Sequence, residues 1–207
     1  MTAGTRRVLL FTIATTFVQL TSAQRPGAQQ SEQITIKEPG IYELSGLFKQ
    51  ADTVVLVKVV AGDTESYRCA VYKAEVLKSF KGAKAGETVY FGPYVGQRLG
   101  WDYILFLRNT PAAIPPEVPG SAFGAIRYAE VFNEGYSSME TSYECIFGGK
   151  DIAQQCDYGV RVCTDYIKLP KGTKTSPPLA EETPFGCRWV RKAPFIEMLE
   201  VLRDSRR

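Results

Sequence analysis

Residues 51–107 read ADTVVLVKVVAGDTESYRCAVYKAEVLKSFKGAKAGETVYFGPYVGQRLGWDYILFL. Thr53–Val60 is Val-rich and short, which predicts a buried strand. Gly62-Asp63 turns the chain. Tyr67–Phe80 predicts a longer strand, with Ala70, Tyr72, Ala74 and Val76 on one face. Its length predicts bending, which a small barrel requires. Lys81-Gly82 and Ala85-Gly86 bound a tight connection, Thr88–Phe91 predicts a third strand, and Gly92-Pro93 ends it. Trp101–Leu107 is almost continuously apolar, so it predicts a central strand covered on both sides. Strands joined by short turns over this length of chain predict a small antiparallel β-barrel.

On the N-terminal side, Ile41, Leu44, Leu47 and Phe48 recur at three- and four-residue steps and predict one short amphipathic helix. A short strand is predicted at Ile34-Thr35-Ile36. Residues 24–40 are otherwise expected to be a flexible leader, of which 24–33 is polar and Gln-rich with no apolar face to bury. Residues 1–23 have the layout of a secretory signal: Arg6-Arg7, an apolar run Val8–Leu20 too short for a membrane span, and small residues Thr21-Ser22-Ala23 before Gln24. Thr5-Arg6-Arg7-Val8-Leu9-Leu10 also resembles a twin-arginine signal, so the export route stays open. A secreted or periplasmic protein is expected, with no membrane span after cleavage.

On the C-terminal side, 108–120 is a proline-rich loop. Ala122–Phe132 and Tyr136–Phe147 predict a hairpin around the turn Asn133-Glu134-Gly135. Gly159–Leu169 predicts another strand, and 170–186 a second long loop. Phe195, Met198, Leu199 and Leu202 make one apolar face of a final helix, with Pro194 in its first turn. The predicted fold is mainly β: a small antiparallel barrel with an extra hairpin and a C-terminal amphipathic helix, forming one domain over residues 41–207.

At Ala51-Asp52, at Glu75-Val76-Leu77-Lys78-Ser79-Phe80-Lys81-Gly82, at Gly86-Glu87-Thr88-Val89 and at Tyr103-Ile104-Leu105-Phe106-Leu107 after Gly100, the chain resembles the tissue-inhibitor-of-metalloproteinases-like and netrin-like group. The resemblance implies an OB-like barrel. It covers only Ala51–Leu107 and rests on strand and turn residues, so it speaks to architecture more than to function. Inhibitors of that group chelate a target's zinc through an N-terminal cysteine. Here the expected mature N-terminus is Gln24 and the first cysteine is Cys69, which argues against direct zinc capture.

The composition excludes several chemistries. The chain has no histidine, which removes Ser-His and Cys-His catalysis. Ser79 and Lys78 are strand neighbours and point to opposite faces. Glu181-Glu182 reads as a solvated loop pair, and Gly148-Gly149-Lys150-Asp151 as a turn without the strand–helix context of a phosphate loop. Without Arg6 and Arg7 the 25 basic and 22 acidic residues become 23 against 22, which leaves no field to attract nucleic acid.

Cys145, Cys156, Cys163 and Cys187 are disulfide candidates and Cys69 is the candidate free thiol; five cysteines allow fifteen two-bridge arrangements. No metal site and no cofactor is expected, since no C-x-x-C spacing exists. Tyr90, Tyr94 and Trp101, near the third and fourth strands, are the candidate ligand-binding residues. The expected function is a non-enzymatic module that binds a protein or an extracellular or cell-envelope component. A carbohydrate-binding or carbohydrate-cleaving protein is the main alternative, and a protease inhibitor acting through a loop is a weaker one.

Overall fold

The computed structural model describes residues 39–63, 71–92, 96–109, 128–144, 156–176 and 186–205. The elements are β1 (Tyr42–Glu43), α1 (Leu44–Gln50), β2 (Thr53–Asp63), β3 (Val71–Lys81), β4 (Thr88–Gly92), β5 (Asp102–Asn109), β6 (Ala129–Val131), a 3-10 turn (Asn133–Gly135), β7 (Ser138–Glu144), β8 (Asp157–Cys163), β9 (Ile167–Lys168), β10 (Cys187–Arg191) and α2 (Lys192–Asp204). The predicted signal, the strand at 34–36 and the proline-rich stretch 110–120 lie outside the described residues.

Five strands close a barrel. β2 pairs antiparallel with both β3 and β5, β3 with β4, and β5 with β6, while β4 and β6 run parallel at Phe91↔Ala129 and Gly92↔Glu130. The result is a small OB-like barrel. The long β2–β3 pair bends as expected: its register slips at Val54/Val55, Leu56/Val57 and Val59/Ala61.

Alternation along the strands makes two cores. Val55, Val57 and Val59 of β2 join Tyr72, Ala74, Val76, Phe91, Tyr103, Leu105, Leu107 and Val131 inside the barrel. Val54 and Leu56 face outward with Ile104 and Phe106, under Leu44, Leu47 and Phe48 of α1 and Phe195 and Leu199 of α2. The apolar run at Trp101–Leu107 is therefore covered on both faces, as its composition requires. α1 follows the Leu44–Phe48 periodicity, but Ile41 precedes it and is 67% exposed.

Of the hairpin predicted between Ala122–Phe132 and Tyr136–Phe147, the described parts, β6 and β7, do not pair with each other. β6 and β7 lie end to end along the same edge of β5: β6 takes Leu107–Asn109, and β7 takes Asp102–Leu105. At the joint, the Phe132 N–H donates to the Phe106 carbonyl (2.9 Å), and the Phe106 N–H donates to the Ser137 carbonyl (3.1 Å). The 3-10 turn is an excursion from one continuous edge, not a reversal. Asn133 sits at φ 53 and its side chain holds Gly40, accepting from its N–H (2.8 Å) and donating to its carbonyl (2.9 Å). The appended hairpin is instead β7–β8, in register from Thr141↔Val160 to Glu144↔Asp157, and β10 extends it. The strand expected over Gly159–Leu169 splits into β8 and β9, and β9 pairs in parallel with β1.

One side chain ties α1 to the barrel. The Lys81 ammonium, at the end of β3, donates to the carbonyls of Phe48 (3.4 Å), Lys49 (3.1 Å) and Ala51. These belong to the C-terminal end of α1, where carbonyls lack helical partners and positive charge is favoured. Gly82 follows at φ 78, where a Cβ would collide with the Asp52 carbonyl. Replacing Lys81 by Met should keep the barrel's far-UV CD spectrum and lower unfolding free energy by about 1–2 kcal/mol in urea titration. An unchanged urea midpoint would show that the ammonium does not stabilise the α1 terminus.

Candidate functional site

The outer face of the sheet is roofed by the helices over only part of its length. Under the roof lie Leu56, Ile104, Met139 and Val160. One step further along the same face stand Lys58, Asp102 and Thr141, at the N-terminal end of α2. Lys192 Nζ lies 3.4 Å from Asp102 Oδ2 and donates to Thr141 Oγ1 at 3.4 Å, and Lys58 Nζ lies 3.9 Å from Asp102 Oδ1. Asp102 thus lies between two ammoniums, and the row carries one more positive than negative charge.

Beyond that row the alternation brings up Val60, Tyr143 and Tyr158, which are 47%, 59% and 57% exposed. Tyr143 and Tyr158 are directly opposite each other across β7 and β8. Their ring centroids are 5.3 Å apart at an interplanar angle of 69°, and Lys192 Nζ lies 5.8 Å from the Tyr158 ring. Val60 reaches the surface at a register slip of β2.

Of the residues singled out from the sequence, Tyr90 pairs in register with Lys73 on the outward face of β3–β4. Trp101 has the opposite parity and packs against the barrel interior, with the Arg98 guanidinium 4.5 Å from its ring centroid. The two aromatics therefore stand on opposite faces of the barrel wall and do not form one platform. Tyr94 lies outside the described residues. Cys163 and Cys187 are disulfide-bonded across β8 and β10. Cys156 is also disulfide-bonded; Cys69 and Cys145 remain as its possible partners within the chain, and both lie outside the described residues. Among the described residues no three His, Cys, Asp or Glu side chains are grouped to hold a metal ion.

The sequence reading missed Tyr143 and Tyr158. They are fifteen positions apart, and their opposition depends on the register of β7–β8. The signal was Tyr143 two residues before Cys145 and Tyr158 two after Cys156, a symmetry that only the correct hairpin makes meaningful.

Trp101 marks the barrel mouth, which the 96–101 loop covers. The Tyr103 hydroxyl accepts the Arg98 N–H (2.8 Å) and the Tyr72 hydroxyl accepts the Gly96 N–H (3.2 Å), while Gly100 N–H donates to the Val59 carbonyl (2.7 Å). Burial raises the Tyr103 phenol above the ordinary 10.0; the Arg98 N–H opposes this, and nearby Glu140 adds to it. The Tyr136 phenol is also raised, by burial and by its hydrogen bond to Tyr166.

No family model, no curated protein and no solved structure matches the chain. The surface is thus defined by its own geometry.

A raised phenol pKa means the folded state holds the proton more tightly than the unfolded one. That contribution is complete below the ordinary tyrosine value and is lost as pH rises through it toward the folded-state value. Urea stability should therefore fall with rising pH above about 10. Tyr103→Phe should flatten this fall without abolishing it, because Tyr136 has the same sign, and should cost about 1 kcal/mol at neutral pH. An alkaline slope identical to wild type would remove Tyr103 from the account.

Proposed function

We propose that the chain is an exported, non-enzymatic binding module that engages a protein or an extracellular or cell-envelope component. The observation that carries this reading is the unroofed outer face, where Val60, Tyr143 and Tyr158 are exposed beside the polar row of Lys58, Asp102 and Lys192. Three further facts support it. The 1–23 segment has the layout of an export signal. A disulfide joins Cys163 to Cys187, and such bonds persist in oxidising compartments. No described helix is long and apolar enough to cross a membrane. The resemblance to the tissue-inhibitor-of-metalloproteinases-like group adds the expectation of a barrel used as a recognition scaffold, without the zinc-chelating N-terminal cysteine.

The test is expression of the full chain in an exporting host, followed by mass-spectrometric mapping and a turnover screen. The mature product should accumulate outside the cytoplasm with Gln24 at its N-terminus and with Cys163 linked to Cys187. It should turn over none of a panel of protease, esterase and glycosidase substrates. Cytoplasmic retention with residues 1–23 intact would overturn the export half. Turnover lost on one Ser, Asp or Glu substitution would overturn the binding half.

A further inference from the structure

We infer that Tyr143 and Tyr158 are a site of oxidative coupling, where a haem peroxidase with hydrogen peroxide joins the two phenol rings into dityrosine. The two residues are directly opposite each other across β7 and β8, and each is more than half exposed. Directly opposed Cβ atoms on antiparallel strands are about 4.5–5.5 Å apart. Side chains of equal length then carry their rings to the same height above the sheet. The ring centroids are 5.3 Å apart at 69°, so an edge of one ring already rests on the other. The partner of each phenol is thus set by the strand register, and no ligand is needed to bring the two together.

Each phenol gives up one electron and its hydroxyl proton and becomes a phenoxyl radical. Part of the unpaired spin lies on the ring carbons beside the oxygen, Cε1 and Cε2. One such carbon of Tyr143 bonds to one of Tyr158. The hydrogen on each bonded carbon then moves to the oxygen as a proton, which restores both rings and both hydroxyls. Two electrons and two protons have left the pair, and hydrogen peroxide takes them up to give two waters. Holding the rings together makes the bond-forming step unimolecular, so in dilute solution it outruns coupling between chains. Turning two exposed rings edge to edge needs only side-chain torsions to change, since the paired backbone stays in place.

Other aromatic side chains are less accessible. Tyr136 and Tyr166 have ring centroids 4.1 Å apart, but both are half-buried, and Tyr166 packs against the core beneath the helices. The two are also joined by a side-chain hydrogen bond. Bringing their ring edges together would break that bond and repack the core. Tyr72 and Tyr103 are buried, with their hydroxyls bonded to backbone. Trp189 is buried, and Trp101 is half-buried against the Arg98 guanidinium. Among these described residues, a protein-sized oxidant reaches Tyr143 and Tyr158 first. The new bond would tie β7 to β8 beside Glu144↔Asp157, and a reductant that cleaves Cys163–Cys187 would leave it intact.

The experiment treats the purified full-length protein, in dilute solution, with a haem peroxidase and hydrogen peroxide under conditions that couple free tyrosine. Dityrosine fluorescence should appear while the chain stays monomeric on a denaturing gel. After reduction, a tryptic digest, cleaved at Lys150 between the two residues, should contain a peptide pair carrying Tyr143 and Tyr158. That pair should be lighter than the sum of its peptides by two hydrogen atoms. Tyr143→Phe and Tyr158→Phe, which keep both rings, should each lose this product. Tyr136→Phe and Tyr90→Phe should form as much of it as wild type, and CD spectra should show all variants folded. Absence of dityrosine overturns the inference. So does a bond formed only between chains, one that maps to other residues, or one that Tyr143→Phe or Tyr158→Phe leaves intact. The binding-module reading survives each of these results, because the coupling involves no ligand; substrate turnover would sink that reading separately.

Discussion

Along Val54–Val57 of β2 and Ile104–Leu107 of β5 no residue is more than 7% exposed. Two adjacent strands buried on both faces have no water to satisfy their backbone, so every N–H and C=O needs a ladder partner on each edge. β2 meets this with β3 on one side and β5 on the other. β5 is eight residues long, and no single partner covers its second edge. β6 serves one end and β7 the other, and the excursion at the 3-10 turn leaves both backbone groups of Phe106 bonded. Barrel closure and sheet extension are thus two answers to one demand along the same strand edge.

Burial on the outer face requires the helices. Ile104, Phe106, Val54 and Leu56 would lie in water without α1 and α2, and each such side chain contributes about 1.5–3 kcal/mol when fully buried. α1 is only seven residues long and too short to be stable alone. It is held by its apolar face and by the Lys81 ammonium at its C-terminal carbonyls. Asn133 plays the matching part at the N-terminal side of α1, fixing Gly40 just ahead of β1. Both ties connect positions far apart in sequence, so neither is visible as a local motif.

The parts of the fold that were legible in the sequence are those governed by local chemistry. β2 and β5 declare themselves by continuous apolar runs, β3 by alternation at Tyr72, Ala74 and Val76, and α2 by Phe195 and Leu199 four apart. What the sequence hid was pairing. Asn133-Glu134-Gly135 carries genuine turn chemistry, but the same residues suit a reversal or an excursion. The choice was made by Gly40, 93 positions away, and by the unfilled edge of β5. The site was hidden for the same reason. Tyr90 and Trp101 look adjacent in a strand list, yet one-residue parity puts them on opposite faces of the wall. Tyr143 and Tyr158 look unrelated until the β7–β8 register is known.

The barrel's own interior offers little to a ligand. Side chains from all five barrel strands fill it, and the loop at 96–101 is bonded across its mouth by the hydroxyls of Tyr72 and Tyr103. Opening that end would strand two buried hydroxyls and break the Gly100–Val59 backbone bond, each of which carries a desolvation cost. Access to the outer face needs none of this. Tyr143 and Tyr158 are already exposed, beside a row in which Asp102 lies between Lys58 and Lys192. The two strands that carry them are joined to the barrel through β5. A ligand at that face would leave both cores as they are, because Val60, Tyr143 and Tyr158 belong to neither.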